Sequence, residues 1–533
     1  MGTFGSIGTV RLGIYAAQKG LDVTGNNITN INTEGYTRQR LNQVSLIPGA
    51  ADRYFSSYKT RIGQGAVVAG VDQLRDPGLD ISYRKAAADV GSANAKLTGL
   101  NDLAVILDEV GKGDLEQDDG VILSQLNDLR DLINQAITNG VGTYNSLIRE
   151  SASSLTKLFN SYADKLSDLQ ETYEEKLDQQ VTEVNDILKN IQELNEAIRN
   201  SDIRGDEALE LRDQRNLLLD QLNEYVKVDV KYSMEDIGAD TKIEKLTVSI
   251  ASNEGHTHTL IDGTYGTQLS CDPADNYKIS ISDLTDSNGR VHPDNGILGA
   301  GQKMVDNDLY GSLQSYRELL TEKGEYATAA DIADDADAST KRGIPYYQMA
   351  LDNLARTFAE EMNKLNDTEL TGSGALFSNS SSGNDTDNIT AANISVSYDW
   401  ANDKVSIQAT ADSNAPSGDT SRLAEFLNLF GRKDIIFAPG TINPGAAGQS
   451  YTGSFEDMLL RIQSTLAEDQ MTTDAVLNNH MITMNDIYVD REGVMGVDLN
   501  DEATSLMTYQ KAYTAACRLM TTLETALDSL LAM

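Results

Sequence analysis

Few residues in this chain are of a type and spacing that could do chemistry. His256-Thr257-His258 places two imidazoles on one face of a strand, a spacing that zinc sites use. His292 and His480 are the other histidines, and local sequence marks no third ligand. The plain reading is a pair of exposed strand histidines. Asp331, Asp334, Asp335 and Asp337 form an acidic run that would attract Ca²⁺, but it lacks the loop glycine and bidentate acid of an EF-hand and reads as a solvated loop. Cys271 and Cys517 are far apart, in segments of different character, which supports neither a disulfide framework nor a thiolate cluster. Cys517 reads as a small residue beside a helix seam. Tyr15, Tyr509 and Tyr513 could suggest ligand stacking, yet helical spacing assigns them to packing. There is no His-Glu-x-x-His, no phosphate-binding glycine loop, no Gly-x-Ser-x-Gly elbow and no cysteine placed with a histidine. The expectation is a chain with no catalytic residue, no cofactor and no metal.

The elements that would carry a contact function are more legible. The chain has 533 residues and is 40% hydrophobic, enough for several domains. With 43 Lys plus Arg against 81 Asp plus Glu, its net charge of -38 repels phosphate backbones and anionic headgroups, so nucleic acid and membrane are poor partners. Met1 to Gly20 carries Arg11 and Lys19 between apolar residues, so neither a cleaved signal nor a membrane span is expected.

Both ends read as heptad helices. Phe4, Ile7, Val10, Ile14, Ala17, Leu21, Thr24, Ile28 and Ile31 step alternately by three and four; Leu499, Ala503, Leu506, Tyr509, Tyr513, Ala516, Met520, Leu523, Leu527 and Leu530 do the same. Each helix would be roughly 40 to 50 Å long, with the other terminus or a neighbouring copy as partner. Gly2, Gly5, Gly8, Gly13, Gly20 and Gly25 interrupt the first stripe. Each costs about 1 kcal/mol relative to Ala, which makes this helix marginal alone and dependent on packed neighbours.

A third heptad series runs Leu155, Phe159, Tyr162, Leu166, Leu169, Tyr173 and resumes at Val181, Val184, Leu188, Ile191 and Ile198, with steps of four through Leu177 as a stutter. Further helical patterns lie at Leu97 to Leu107, Val121 to Ile137, Ala208 to Tyr225, Tyr346 to Leu365 and Phe455 to Met484. Strand alternation appears at Leu246, Val248, Ile250 and at Tyr277, Ile279, Ile281, then at Ile394, Val396, Tyr398 and Val405, Ile407, beyond a polar loop from Ser378 to Asn388. The fold class is α+β and multidomain: terminal helices in a coiled coil, an elongated helical bundle made from both halves of the chain, and inserted β-rich parts. The expected division is 1–60 with 497–533 as a terminal helical unit; 61–230 with 340–370 and 451–496 as a helical rod; 231–339 as a β-rich insertion; and 371–450 as a second β-containing insertion.

After the first helix the chain reads Thr24-Gly25-Asn26-Asn27-Ile28-Thr29-Asn30-Ile31-Asn32-Thr33-Glu34-Gly35-Tyr36-Thr37-Arg38-Gln39. Asn side chains can bond neighbouring backbone and stop the helix, and Gly35 permits positive φ in the turn. This stretch resembles the N-terminal signature of flagellar rod, hook and hook-associated subunits, which usually carry proline at the position of Glu34. Ala208 to Leu222, Ile344-Pro345-Tyr346-Tyr347 through Leu354-Ala355 to Met362-Asn363, and Gly496-Val497-Asp498-Leu499-Asn500-Asp501-Glu502 with Tyr509-Gln510-Lys511-Ala512-Tyr513 resemble the hook-associated protein 1 family in particular. Asn500 or Asp498 would cap the last helix.

The resemblance implies a structural, non-enzymatic protein of the bacterial flagellum, extracellular, exported through the flagellar channel without a cleaved signal. It implies self-assembly into a ring at the hook tip, contacts with the hook protein and with hook-associated protein 3, and a cytoplasmic export chaperone on the C-terminal region. The assembly residues are then Ile7, Ile14, Leu21, Asn26, Asn27, Ile28, Asn30, Gly35 and Tyr36 with Leu499, Leu506, Tyr509, Tyr513, Met520, Leu523, Leu527 and Leu530. Two other readings stay open: a distal rod or hook subunit of the same axial class, and a secreted adhesin or enzyme whose activity lies in the β insertion.

Overall fold

The first heptad stripe folds as helix α1 (Thr3–Thr29), and Asn30 ends it by donating its side-chain amide to the Asn26 carbonyl at 3.0 Å. In this computed structural model residues 3–46, 65–107, 120–238, 242–251, 257–294, 309–366, 374–410, 416 and 418–532 are described. His256 lies outside them. From the turn after α1 the chain enters an antiparallel ladder of β1 (Gln39–Ser45) and β2 (Ala66–Gln73), which the sequence pattern did not mark as strands. Their alternation is blurred because most of their residues are exposed or half-buried.

Helices α2 to α5 follow. α2 (Pro77–Leu107) begins twenty residues before the predicted Leu97, because its first half is built on alanine and carries no strong apolar stripe. Ala86, Ala87, Ala88 and Gly91 are buried there instead, and a Cβ at Gly91 would overlap the Glu224 carbonyl, so the small residues are what lets the helices close up. α3 (Val121–Asn139) joins α4 (Val141–Arg204), a single helix of 64 residues. At 1.5 Å per residue it spans about 96 Å. The predicted seam is its core side: Leu155, Phe159, Tyr162, Leu166, Tyr173, Leu177, Val181, Val184, Leu188, Ile191 and Ile198 are all buried, and the helix runs unbroken through the stutter. α5 (Leu209–Tyr225) turns back along α2 and α4.

A four-stranded antiparallel sheet then forms in the order β3 (Asp229–Asp236), β4 (Lys242–Ala251), β5 (Thr257–Asp262), β6 (Tyr265–Gly266), followed by the hairpin β7 (Leu269–Asp272) and β8 (Lys278–Ile281). Leu246, Val248 and Ile250 of the sheet and Ile279 and Ile281 of the hairpin are among their buried residues. The next stretch departs from the expected β insertion. Helix α6 (Gly311–Thr321) packs on α2 and α4, with Leu313 and Leu319 fully buried. Short α7 (Ala329–Asp334) leads to α8 (Ile344–Asn366), whose Tyr347, Leu351, Leu354, Phe358 and Met362 sit in the same core.

Beyond α8 the predicted strands are largely replaced. β9 (Phe377–Ser378) and β10 (Ser395–Val396) make a two-residue ladder, but Tyr398 belongs to helix α9 (Tyr398–Ala401), and Val405 and Ile407 lie in no strand. Ile407 is buried with its backbone N–H donated to Asn145 Oδ1 at 3.2 Å, so its alternation reports one-sided burial without a ladder partner. The polar stretch Ser378 to Asn388 is tied down, not loose. Asp385 accepts from Asn379 Nδ2 at 3.1 Å and from the Asp387 N–H at 3.0 Å. α10 (Ser421–Gly431), β11 (Ile435–Phe437), α11 (Pro439–Ile442) and β12 (Tyr451–Gly453) close this part around Phe426, Phe437 and Trp400.

The chain returns through α12 (Phe455–Met495), opened by a capping box in which Ser454 Oγ accepts from the Asp457 N–H and Asp457 accepts from the Ser454 N–H. α13 (Leu499–Leu531) ends the described chain, with Asp498 as its cap, accepting from the Asn500 and Asp501 N–H groups at 2.7 and 3.3 Å. α12 packs along α2 and α13 along α1, so first and last helices meet. No helix among the described residues is long and apolar enough to cross a membrane.

Candidate assembly site

The α1–α13 pair is held by small residues. Val10, Ala16, Ala17, Gly20, Val23, Thr24 and Asn27 form the buried face of α1, whereas Ile7, Ile14, Leu21 and Ile28 lie half-buried at its edge and Ile31 is exposed beyond the helix. The contact face keeps Val10, Ala17 and Thr24 of the predicted stripe but turns away from its isoleucine and leucine positions. A Cβ on Gly20 would overlap the ring of Tyr509, so the seam turns toward the glycine and alanine positions, where the two backbones come closest. On α13, Leu506, Tyr509, Met520, Leu523 and Leu527 are half-buried, while Leu499, Tyr513 and Leu530 are exposed. Glu502 is the one residue of α13 that is fully buried. The pair leaves much of both apolar stripes open.

The asparagine-rich turn is a polar knot. Asn27 Nδ2 donates to the Gln39 carbonyl at 2.9 Å, and the Gln39 N–H returns the bond to Asn27 Oδ1 at 3.0 Å. The Tyr36 hydroxyl donates to the same Oδ1 at 2.9 Å, and Asn26 Nδ2 reaches Tyr36 Oη and Gln39 Oε1, both at 3.3 Å. Asn30 Nδ2 also donates to Asn26 Oδ1 at 2.9 Å. Gly35 has φ +73°, the left-handed value that the turn needs, and Glu34 is exposed. Asn26, Asn27, Asn30, Tyr36 and Gln39 thus form one connected hydrogen-bonded cluster.

Four links that the sequence did not single out join this knot to the rest. Arg38 Nε pairs with the buried Glu502 at 2.8 Å, and the Arg38 N–H donates to the Met495 carbonyl at 2.9 Å, tying the turn to both C-terminal helices. The Thr37 N–H donates to Asp213 Oδ2 at 3.2 Å, and Arg75 stands 3.8 Å from Asp213 Oδ1. Burial pushes the Asp213 carboxyl up to about 6, against the lowering effect of Thr37 and Arg75, with Glu210 adding to the rise. Burial first, then Asp213, Glu210 and Glu502, also drive the Tyr36 hydroxyl well above its ordinary value.

Just behind lies a buried ionic chain. Arg75 bonds Asp80 at 2.6 Å, Arg491 bonds Asp80 at 2.8 Å and Asp220 at 2.5 Å, and Arg84 bonds Asp220 at 2.7 Å. It ties α2, α5 and α12 together. Burial works to raise the Asp80 carboxyl, but Arg75, Arg491 and Arg84 hold it below its ordinary value. An open cleft of about 600 Å³, lined by Asn32, Glu34, Tyr83, Tyr488, Arg491 and Val497 among others, separates the turn from the rod on one side. The terminal pair is joined to the rod by a few polar links, not a packed core. Arg38, Asp213 and Glu502 carry no signal of this in the sequence beyond their charge, which elsewhere in the chain marks solvated faces.

The residues considered for other chemistry are placed differently. His258 is 3% exposed, not an exposed strand residue, and its Nδ1 has no hydrogen-bond partner. Three members of the acidic run are paired with lysines, and the run is partly helical: Asp331 caps α7 with Thr328 and pairs with Lys323, Asp334 pairs with Lys278, and Asp335 with Lys341. No group of three or more His, Cys, Asp or Glu that could hold a metal occurs among the described residues.

Residues 122–379 match the flagellar hook-associated protein FlgK helical domain, residues 494–533 the flagellar basal body rod FlgEFG protein C-terminal region, and residues 13–37 the flagella basal body rod protein. The chain is 26% identical to flagellar hook-associated protein 1 of Bacillus subtilis over 99% of this chain and 98% of that one. It is 23% identical to the protein of the same name from Salmonella typhimurium over 97% and 98% of the two chains. A solved structure, that of the flagellar hook junction protein FlgK from Burkholderia pseudomallei, superposes with a TM-score of 0.39 at 19% identity, over 56% of this chain and 46% of that one.

Proposed function

We propose that this chain, similar over nearly its whole length to hook-associated protein 1 and matching its helical domain, is a flagellar structural protein that forms the junction between hook and filament. The observation that carries the reading is the α1–α13 pair, a narrow two-helix unit with Leu499, Tyr513 and Leu530 left exposed. A lone soluble domain has no use for such a surface, whereas copies packed lengthwise side by side would cover it. The terminal pairs line the assembly's inner shell, the α2–α4–α5–α12 rod forms the next shell, and the β parts face outward.

In this reading the protein works by contact alone and is not an enzyme. Copies form a ring on the hook protein, hook-associated protein 3 adds above it, and a cytoplasmic chaperone holds the C-terminal region before export through the channel. A marginal glycine-interrupted α1 suits a chain that must pass unfolded and fold on arrival. Deleting the gene should leave hooks without filaments and release flagellin into the medium, both restored by the full chain. Normal filaments on the deletion strain would overturn the proposal.

A further inference from the structure

A cavity of about 200 Å³ lies where helices α2 and α5 meet strands β3 and β4. Its floor and its rim differ in kind. Asp80, Arg84, Arg215 and Asn216 are buried, whereas Ile81 and Tyr232 are exposed. The guanidinium groups of Arg75, Arg84, Arg212 and Arg215 line it, against the carboxylates of Asp80 and Glu244. Asp202 and Asp220, which pair with Arg212 and Arg84, stand outside the lining. The ionic network is balanced as a whole, but its cationic members are the ones turned to the cavity.

Hydrogen bonding in the cavity is one-sided in the same sense. Asp80 accepts from Arg75 at 2.6 Å on one oxygen and from Arg491 at 2.8 Å on the other. Glu244 pairs with Arg215 at 2.5 Å and with Arg212 at 2.6 Å, again one on each oxygen. Asn216 Oδ1 accepts from the Tyr232 hydroxyl at 3.0 Å and from Arg84 Nη2 at 3.4 Å. The acceptors are engaged, and donors remain. Arg215, whose side chain is 3% exposed, has no hydrogen-bond partner for its Nε among the described residues. Arg84 gives Nε to Asp220 and Nη2 to Asn216, which leaves Nη1 unengaged among the described residues. A buried donor without an acceptor is destabilising. A carboxylate carries two oxygens that only accept, in the plane that a guanidinium fork matches.

We propose that this cavity binds a small organic carboxylate, with its charged head on Arg84 and Arg215 and its apolar body against Ile81 and Tyr232. Floor and rim together select this class. An inorganic oxyanion would leave the apolar rim uncovered, and a neutral molecule of the same shape would leave the guanidinium donors unmatched. Size sets the upper limit: drug-sized ligands fill pockets of about 300–1,000 Å³, whereas this one holds only several waters at about 30 Å³ each. The net charge of -38 opposes an anion at long range, but exposed charges beyond about 8 Å are screened at physiological salt, so the nearest groups decide. The inference goes beyond the junction reading and does not rest on it.

Isothermal titration of the purified full chain with hexanoate tests it. Hexanoate should bind saturably at one site per chain, and hexanamide and inorganic phosphate should each bind roughly tenfold or more weakly. Ile81→Glu puts an acid at the 43% exposed rim, near the N-terminus of α2 where an acid suits the helix, so Tm should hold while hexanoate affinity falls about tenfold. Arg84→Lys keeps the charge beside Asp220 but gives up the planar fork, and should weaken hexanoate by a similar factor. If Arg84→Lys lowers Tm, the Ile81→Glu titration decides alone. No saturable binding of hexanoate, or an affinity unchanged by Ile81→Glu, would overturn the inference. Phosphate binding as tightly as hexanoate would also overturn it, since the rim would then play no part. Filament growth in the deletion strain bears on the junction reading only, so the two failures are distinguishable.

Discussion

Asp213 is one of the residues that join turn to rod, and its carboxyl is poorly placed to be charged. It is 6% exposed, accepts the Thr37 N–H on one oxygen, and has no hydrogen bond on the other, with Arg75 3.8 Å away. Its value of about 6 in the folded protein lies above the ordinary 3.8. The folded state therefore holds a proton that the unfolded chain has released between about pH 4 and 6. The stabilisation is fully present below that window and lost as pH rises through 6. Asp213→Asn removes the ionisation while keeping an acceptor for Thr37. Above pH 6.5 the variant should hold the terminal pair more firmly than wild type, by on the order of 1–2 kcal/mol. At pH 4 the difference should vanish. Hydrogen exchange of the 30–39 turn across this range measures it, and an identical pH profile for the two proteins would mean that Asp213 is not the titrating group.

At the scale of elements, the α1–α13 pair sets helix propensity against close packing. Gly13 has nothing within 4 Å of a would-be Cβ, whereas at Gly20 the same atom would strike the Tyr509 ring. Gly13→Ala should gain about 1 kcal/mol of helix stability. Gly20→Ala has the same intrinsic gain but forces the ring away, at a cost of about 1–3 kcal/mol. Limited proteolysis of the monomer should show slower trimming of the ends in the first variant and several-fold faster trimming in the second. The contrast also shows what the sequence could convey. The heptad in α4 was legible residue by residue because large side chains mark a seam buried on one side, from Leu155 to Ile198. The seam in α1 was legible as a helix but only partly in its face: Val10, Ala17 and Thr24 of the stripe are buried, while Ala16 and Gly20, which leave no hydrophobic signal, complete the contact. For the same reason the alanine-built first half of α2 was missed. The asparagine turn was readable in type, but not the links from Arg38 to Glu502 and from Thr37 to Asp213, which join residues 464 and 176 positions apart. Charge in a sequence does not say whether it will be buried. Strand alternation at Val405 and Ile407 misled because burial on one side needs no ladder.

For the whole molecule the dominant quantity is its charge, and it opposes the proposed assembly. Copies carrying -38 each repel at every distance beyond contact. Interactions among exposed charges are screened over about 10 Å at 0.1 M salt and about 30 Å at 0.01 M. In the proposed assembly the contact surface along α13 is built on apolar side chains such as Leu499, Met507 and Leu519, so salt would weaken the repulsion without weakening the attraction. Addition of purified protein to isolated hook ends should then accelerate several-fold between about 20 mM and about 200 mM NaCl. A contact built on ion pairs between copies would show the opposite trend. Electron microscopy of hook tips, scored for added protein against time at each ionic strength, separates the two. Capping that slows as salt rises would place the recognition in charged residues such as Arg11, Lys511 and Arg518 on the terminal helices, and would remove the apolar stripes from the centre of the mechanism.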